Sequence, residues 1–341
     1  MKNIAQRIIK QITGDKRSLA MLLIVPLLLL TLMYLLLAKS TYIPTVAVEN
    51  LPFPLVTALE EHLDRIDLII SEDISENHEE YLKNNRNIDA VITMKDDGLH
   101  LIMLEPDSVK VSAINDTLKN AVEKLNPERQ MGIEFIYGEK DQSLFDSMGF
   151  LLLGILAFFL IFLFAGISFV RERTSDTLER LMLTPIKTID LVGGYVLGFS
   201  FFALLQSTLM ILYAKFVLGM PFGGQVWLAT LIMMMLATIA VVLGVLISAL
   251  SKNEFQVVQF VPIIIIPQIF FSGLIPVDTL PYGLNYFSLI MPLYYGTLGL
   301  KGVLVYGYGF MEVLPQLGVL LGFIVIFFVA NIFAVKKYRA I

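Results

Sequence analysis

Six long apolar runs divide the chain: Leu19–Ala38, Phe150–Val170, Leu191–Tyr213, Val226–Leu250, Phe255–Gly273 and Leu314–Val335. A helix rises about 1.5 Å per residue and the hydrocarbon core of a bilayer is about 30 Å thick, so each run is long enough to cross one. Helices are the expected spans, because they satisfy their backbone groups internally, whereas barrel strands would be about ten residues long and alternating. The first run is longer than the apolar core of a signal peptide and follows 18 other residues, which predicts a retained anchor helix.

Between the runs the pattern changes. In residues 1–18, Ile4, Ile8 and Ile12 recur at helical spacing, with Lys2, Arg7 and Lys10 largely off that stripe. This predicts a basic amphipathic helix lying in the inner-leaflet interface and ending at Gly14-Asp15. Residues 39–149 alternate short elements. Pro44–Glu49 and Ile66–Ser71 are expected strands, and Ala90–Met94 with Leu99–Leu104 a strand pair turning over Lys95-Asp96-Asp97-Gly98. Leu55–Leu63, Glu76–Asn84 and Val111–Leu125 have helical spacing, so the segment is a small α/β domain. Ile275–Val313 is rich in Gly, Pro and Tyr and has only Asp278, Lys301 and Glu312 as charges. Its short apolar pieces, Leu284–Ile290 and Tyr294–Leu300, suit helices that dip into the outer leaflet and return.

Composition agrees: 56% of residues are hydrophobic and 16% charged, far from a soluble average. The placement of Lys and Arg orients the spans. Lys2, Arg7, Lys10, Lys16 and Arg17 precede the first; Arg171, Arg173, Arg180 and Lys187 lie between the second and third; Lys252 follows the fourth; Lys336, Lys337 and Arg339 end the chain. The short loops of the opposite side hold only Lys301, so both termini are expected in the cytosol. Residues 39–149 lie outside and carry ten Lys and Arg against 22 Asp and Glu, a surface that disfavours nucleic acid and anionic headgroups. The chain has no cysteine, so this outer domain holds together without disulfides.

Chemistry-bearing motifs are missing. No G-x-x-x-x-G-K-[ST], G-x-S-x-G, zinc or kinase signature occurs, and His62, His78 and His100 lack metal-site spacing. The six runs contain no Asp or Glu, which argues against ion-coupled transport. Any work the protein does must draw its energy from outside the chain.

The loop between the second and third runs, RERTSDTLERLMLTPIKTIDLVGG, carries a local design. Asp176 can cap a short helix with Glu179 as reciprocal partner. Leu178, Leu181 and Met182 then share one face, while Arg173, Glu179 and Arg180 point elsewhere, and Thr184-Pro185 ends the helix. An apolar knob with a charged rim suits insertion into a groove on a soluble partner.

This loop resembles the signature of ABC-2 type permeases, roughly E-R-E-x-G-T-L-E-x-L-x-x-T-P followed by G-K. Arg171, Glu172, Arg173, Thr177, Leu178, Glu179, Leu181, Thr184, Pro185 and Gly193 match. Asp176 stands where that pattern has glycine, and Gly194 where it has lysine. After the fifth run, Ser272, Gly273, Pro276, Pro281, Pro292, Tyr295 and Gly302 match a second block of the family, with Lys301 where arginine is common. The segment NIDAVITMKDDG is similar to a hairpin of the family's outer domain.

The resemblance implies a mainly α, polytopic membrane protein. It would have six transmembrane helices of ABC-2 exporter type, with a small extracellular α/β domain between helices one and two. Its parts would be an amphipathic helix over residues 1–18, the first span over 19–38, the outer domain over 39–149, and spans two to six over 150–341. A cytosolic coupling helix at 171–190 and an outer re-entrant segment at 275–313 complete it. Such permeases work in pairs, of like or unlike subunits, each pair binding separate ABC ATPases that carry the ATP and magnesium; no cofactor or metal is implied in this chain. Arg171, Glu172, Arg173, Thr177, Leu178, Glu179, Leu181, Met182, Thr184 and Pro185 would contact the ATPase. Spans two and five would face the pair's central cavity, with Phe158, Phe159, Phe162, Gln256, Gln259, Gln268 and Phe271 along the substrate path. That aromatic, uncharged path suits hydrophobic or amphipathic compounds, such as a drug, an antibiotic or a lipid, exported across a bacterial plasma membrane. The other reading is a membrane sensor or scaffold whose outer domain binds a ligand and whose loop recruits a partner.

Overall fold

In a computed structural model of the chain, the residues described are 1–37, 45–60, 67–70, 78–85, 87–95, 98–103, 114, 117–119, 121, 143–175, 177–275, 280 and 282–339. They form two compact units: Met1–Lys39 with Ile136–Ile341, and Ser40–Phe135.

The first unit is helical because its apolar runs leave the backbone no partner but itself. Among the described residues, six helices are long and apolar enough to cross a membrane: Lys16–Leu37, Leu144–Thr174, Thr188–Phe216, Val226–Leu250, Glu254–Leu274 and Phe310–Lys336. We number these spans one to six. Span four lies at the centre, packed against spans two, three and six. Apolar helices gain no hydrophobic driving force from one another in lipid, so close backbone approach and buried hydrogen bonds decide which faces meet. Gly244 of span four meets Gly166 of span two in this way. A Cβ on Gly244 would lie 2.6 Å from the carbonyl oxygen of Phe162, closer than any side chain permits. Asn331 of span six donates from Nδ2 to the carbonyl of Val242 in span four at 2.7 Å. Thr31 of span one and Tyr213 of span three share a hydroxyl–hydroxyl bond of 2.7 Å.

Span five carries Pro262 and Pro267 and ends in a π-helical turn, Phe270–Leu274, where Gly273 takes a φ of +100°. The chain then forms two short helices, Asn285–Ser288 and Pro292–Leu304. The second has 13 residues, about 20 Å of helix, too short to cross. It packs among spans two, four and six and against the π turn. Thr297 donates its hydroxyl to the carbonyl of Ser272 at 2.5 Å, which occupies an acceptor freed by the irregular turn.

The second unit contains a four-stranded sheet in the order β2-β1-β3-β4, with β1 Thr45–Glu49, β2 Asp67–Ile70, β3 Ala90–Lys95 and β4 Gly98–Ile102. β1 pairs in parallel with β2 and β3, while β3 and β4 form the antiparallel hairpin, in register Lys95↔Gly98. Successive strand residues point to opposite faces, and both faces are covered. Val46, Ala90 and Ile92 pack with Leu55, Leu59, Ile114 and Leu118 on one side. Ala47 and Val91 pack with Leu82 and Ile88 on the other. Helices occupy Phe53–Glu60 and His78–Asn84. Most of the helix expected over Val111–Leu125, and the turn at Asp96-Asp97, lie outside the described residues, as does His62. His78 Nε2 lies 2.8 Å from Glu49 Oε2. Among the described residues no three potential metal ligands gather.

Candidate functional site

Spans two and three are joined by the charged loop. There the chain forms the short helix Thr177–Met182. The hydroxyl of Thr184 donates to the carbonyl of Leu181 at 2.5 Å just past its end, and exposed Pro185 follows. Asp176, the expected cap, and the side chains of Glu179 and Met182 lie outside what is described.

The apolar knob turns inward. Leu178 is 2% exposed and belongs to the core of the helical unit, with Leu181 half-buried against it. The face expected to meet an outside partner is thus, at Leu178, covered by the bundle itself. A short helix has little stability alone, and tertiary packing of its apolar face is what holds it. The outward edge of the loop is instead Arg180, Leu183, Thr184 and Pro185, all exposed, with Leu183 at 88%.

The charged residues at the end of span two are also largely engaged within the chain. Arg171 Nε donates to Glu254 Oε1 at 3.1 Å, an exposed pair. Arg173 Nη1 donates to the carbonyl of Ala249 at 3.1 Å. Both ties reach the connection between spans four and five. Glu172, which the resemblance implied would contact the ATPase, is 6% exposed and faces inward. A carboxylate so buried needs paired donors. Arg7 Nη2 supplies one at 2.7 Å and the Tyr195 hydroxyl another at 3.0 Å; Arg7 Nη2 also donates to the Tyr195 oxygen at 2.9 Å. The triad joins the N-terminal helix Lys2–Gly14, span two and span three at one point.

That N-terminal helix does not spend its apolar stripe on the membrane interface, as its pattern alone suggested. Ile4, Ile8 and Ile12 are buried against span three. The seat is glycine. A Cβ on Gly194 would lie 2.5 Å from Ile4 Cβ, and one on Gly198 would lie 3.0 Å from Ile8 Cβ. The departure at Gly194 from the lysine of the related pattern thus has a local reason: a side chain there would displace the helix. Sequence reasoning names Arg7 only as an off-stripe charge and Gly194 only as a departure from the family pattern, and it misses Tyr195 and Gly198. The small-xxx-small spacing of Gly194 and Gly198 is the signal that could have found the seat.

The expected path residues divide. Phe158 and Phe162 are 1% and 0% exposed and fill the bundle, so neither lines an open path within this chain. Phe159 and Phe271 are half-buried, and the Phe271 ring lies tilted against that of Phe287 at 5.8 Å between centroids. Gln268 is buried and accepts from the Leu293 amide at 3.1 Å, binding span five to the following short helix instead of facing a path. Gln256 accepts from the Lys252 amide at 2.7 Å, a local turn bond, and Gln259 is exposed. In the outer segment, Ser272 is buried, Pro292 starts its helix, and the Tyr295 hydroxyl donates to the Leu289 carbonyl at 3.1 Å. Lys301 lies over the rings of Phe150 and Tyr306, at 6.0 and 5.5 Å. Pro276 and Pro281 lie outside the described residues.

Known proteins carry the same pattern. A family model described as ABC-2 family transporter protein matches residues 16–333. ABC transporter G family member 20 of Dictyostelium discoideum is 26% identical over 175 residues, 51% of this chain and 24% of that protein. The probable multidrug ABC transporter permease YbhR of Escherichia coli (strain K12) is 27% identical over 134 residues, 39% of this chain and 36% of its own length. The linearmycin resistance permease protein LnrN of Bacillus subtilis (strain 168) is 24% identical over 183 residues, 53% and 47% of the two chains. The matched region thus spans less than half the length of each of these relatives. With the family match running from the first span into the sixth, this multi-pass membrane protein belongs to the ABC-2 family of transporter proteins.

Proposed function

We propose that the chain is the membrane-spanning permease subunit of an ATP-binding cassette exporter, working in a pair and moving a hydrophobic or amphipathic compound outward. ATP would be hydrolysed, with magnesium, on separate ATPase subunits. The observation that carries this reading is the loop between spans two and three. Its helix is clamped to the bundle through Leu178, and it offers an exposed edge of Arg180 and Leu183. A push on that edge reaches spans two and three directly, because both are tied to it within one turn. The Lys and Arg distribution supports a cytosolic position for this edge and for both termini. Relatives named for multidrug transport and linearmycin resistance support an amphipathic cargo.

The test is co-expression with the ATPase subunit. The wild-type chain is expected to co-purify with it. Leu183→Asp combined with Arg180→Glu is expected to abolish that association and transport-linked ATP hydrolysis while the protein still inserts and keeps its melting temperature. Undiminished co-purification of the double variant would contradict the reading. Ligand binding through residues 39–149 with no ATPase association would favour a sensor.

A further inference from the structure

Span five is loosely held in the bundle. Spans three and four bury side chains on every turn, so they follow span two by packing. The α-helical part of span five buries only Val257, Ile265 and Gln268. A displacement of the loop between spans two and three therefore reaches span five through a few discrete attachments.

Those nearest the loop gather at its first turns. Arg171, at the end of span two, reaches both carboxylate oxygens of Glu254: Nε donates to Oε1 at 3.1 Å and Nη2 to Oε2 at 3.5 Å. Arg173 Nη1 donates to the carbonyl of Ala249, in the last turn of span four, at 3.1 Å. The two guanidinium groups thus hold the turn between spans four and five from both sides. That turn is itself tightly bonded. Ser251 is buried, Asn253 Oδ1 accepts from the Gln256 amide at 2.9 Å, and Gln256 Oε1 accepts from the Lys252 amide at 2.7 Å. One turn further on, Val257 sits in a notch of span two, where a Cβ on Gly166 would lie 2.9 Å from Val257 Cγ1. The far end of span five is held separately, by the bonds of Gln268 to the Leu293 amide and of Thr297 to the Ser272 carbonyl. Between the two sets of ties lies Pro262. It has no amide hydrogen to give the carbonyl of Val258, so the helix is weakest there.

We infer that Arg171 is a positioning residue: its clasp on Glu254 fastens the first turns of span five to the end of span two, so that movement of the loop helix carries those turns with it. The inference rests on the reading that an ATPase acts on this loop. It gives Arg171 a role inside the chain, in place of the ATPase contact that the family resemblance implied.

The experiment uses the full-length chain bound to a cysteine-free form of the ATPase subunit in nanodiscs. Hydrogen exchange is followed by mass spectrometry before and after trapping with ATP and vanadate. In the wild-type complex, trapping is expected to change exchange in peptides over 177–185 and in peptides over 251–258. Arg171→Cys with Glu254→Cys removes the clasp in a chain that has no other cysteine. An exposed ion pair adds little to stability, so this variant is expected to keep the wild-type melting temperature. It is expected to keep the response over 177–185 and to lose most of that over 251–258. Bridging the two cysteines with a cross-linker as long as the lost pair should restore the response, as should the exchanged pair Arg171→Glu with Glu254→Arg. A full response over 251–258 in the unbridged variant, or none there in a wild-type complex that responds over 177–185, would overturn the inference. So would a loss that neither bridging nor exchange repairs. No response over 177–185 in the wild-type complex would instead refute the reading of the loop, and the inference would fall with it.

Discussion

Gly194→Val is expected to release the N-terminal helix from span three. An alanine already brings its Cβ to 2.5 Å from Ile4 Cβ and 3.1 Å from the Met1 carbonyl oxygen, and valine adds two methyls to the same gap. The sign of the effect is diagnostic. In an ordinary helix interior, replacing glycine by alanine gains about 1 kcal/mol from backbone entropy. Here overpacking is expected to reverse that into a loss of about 2 kcal/mol for alanine, with a larger loss for valine. Ile4, Ile8 and Ile12 would lose their covered face, and Lys10 would become open to protease. Limited trypsin digestion in nanodiscs reads this directly: cleavage after Lys10 should rise sharply in the valine variant and moderately in the alanine variant. A stabilised Gly194→Ala protein with unchanged cleavage would show that the helix does not sit on this glycine.

Arg7→Ala is expected to be the most damaging single polar change. It leaves Glu172 buried with only the Tyr195 hydroxyl as donor. Removing one partner of a buried pair costs about 3–5 kcal/mol because the other charge is stranded, and the partial exposure of Arg7 places this case near the lower figure, about 3 kcal/mol. Arg7→Lys should restore only part of the loss, since the shorter lysine must bring its ammonium to the place where Arg7 Nη2 donates to both Glu172 and Tyr195. Glu172→Gln alone should be milder, about 1 kcal/mol, because it removes the charge and keeps an acceptor. The double variant Arg7→Ala with Glu172→Gln should then be more stable than Arg7→Ala. Thermal midpoints of the four proteins close the cycle. Losses that simply add would mean that the two residues act independently.

Much of this architecture is written in the local pattern. The six spans stand out because apolar runs of that length have one stable conformation in lipid. The hairpin between β3 and β4 follows from alternation around an Asp-Gly turn. The helix at Thr177–Met182 lies where the loop pattern put it. The spacing of Leu178 and Leu181 fixes which residues share a face, yet it is silent on what that face meets, and the bundle proved to be the answer. The Arg7–Glu172 pair joins positions 165 apart, a separation at which no sequence period operates. Gln268 shows the same limit: its polarity inside a span signals a partner, and only the return of the chain at Leu293 identifies it. The sequence places Phe158 and Phe162 on an aromatic span without showing what covers them, and in the fold both are buried, with Gly244 of span four closing on the Phe162 carbonyl.

These ties make the N-terminal helix, the loop helix and the ends of spans two and three a single mechanical unit. That the exposed edge of this unit is where the ATPase acts is most directly tested by single-cysteine cross-linking, since the chain has no cysteine of its own. Leu183→Cys and Leu178→Cys would each be co-expressed with the ATPase subunit and treated with a short bifunctional reagent. Cross-linking from position 183 and none from position 178 is the predicted result. Cross-linking from position 178, or none from position 183 in a complex that still co-purifies, would contradict it.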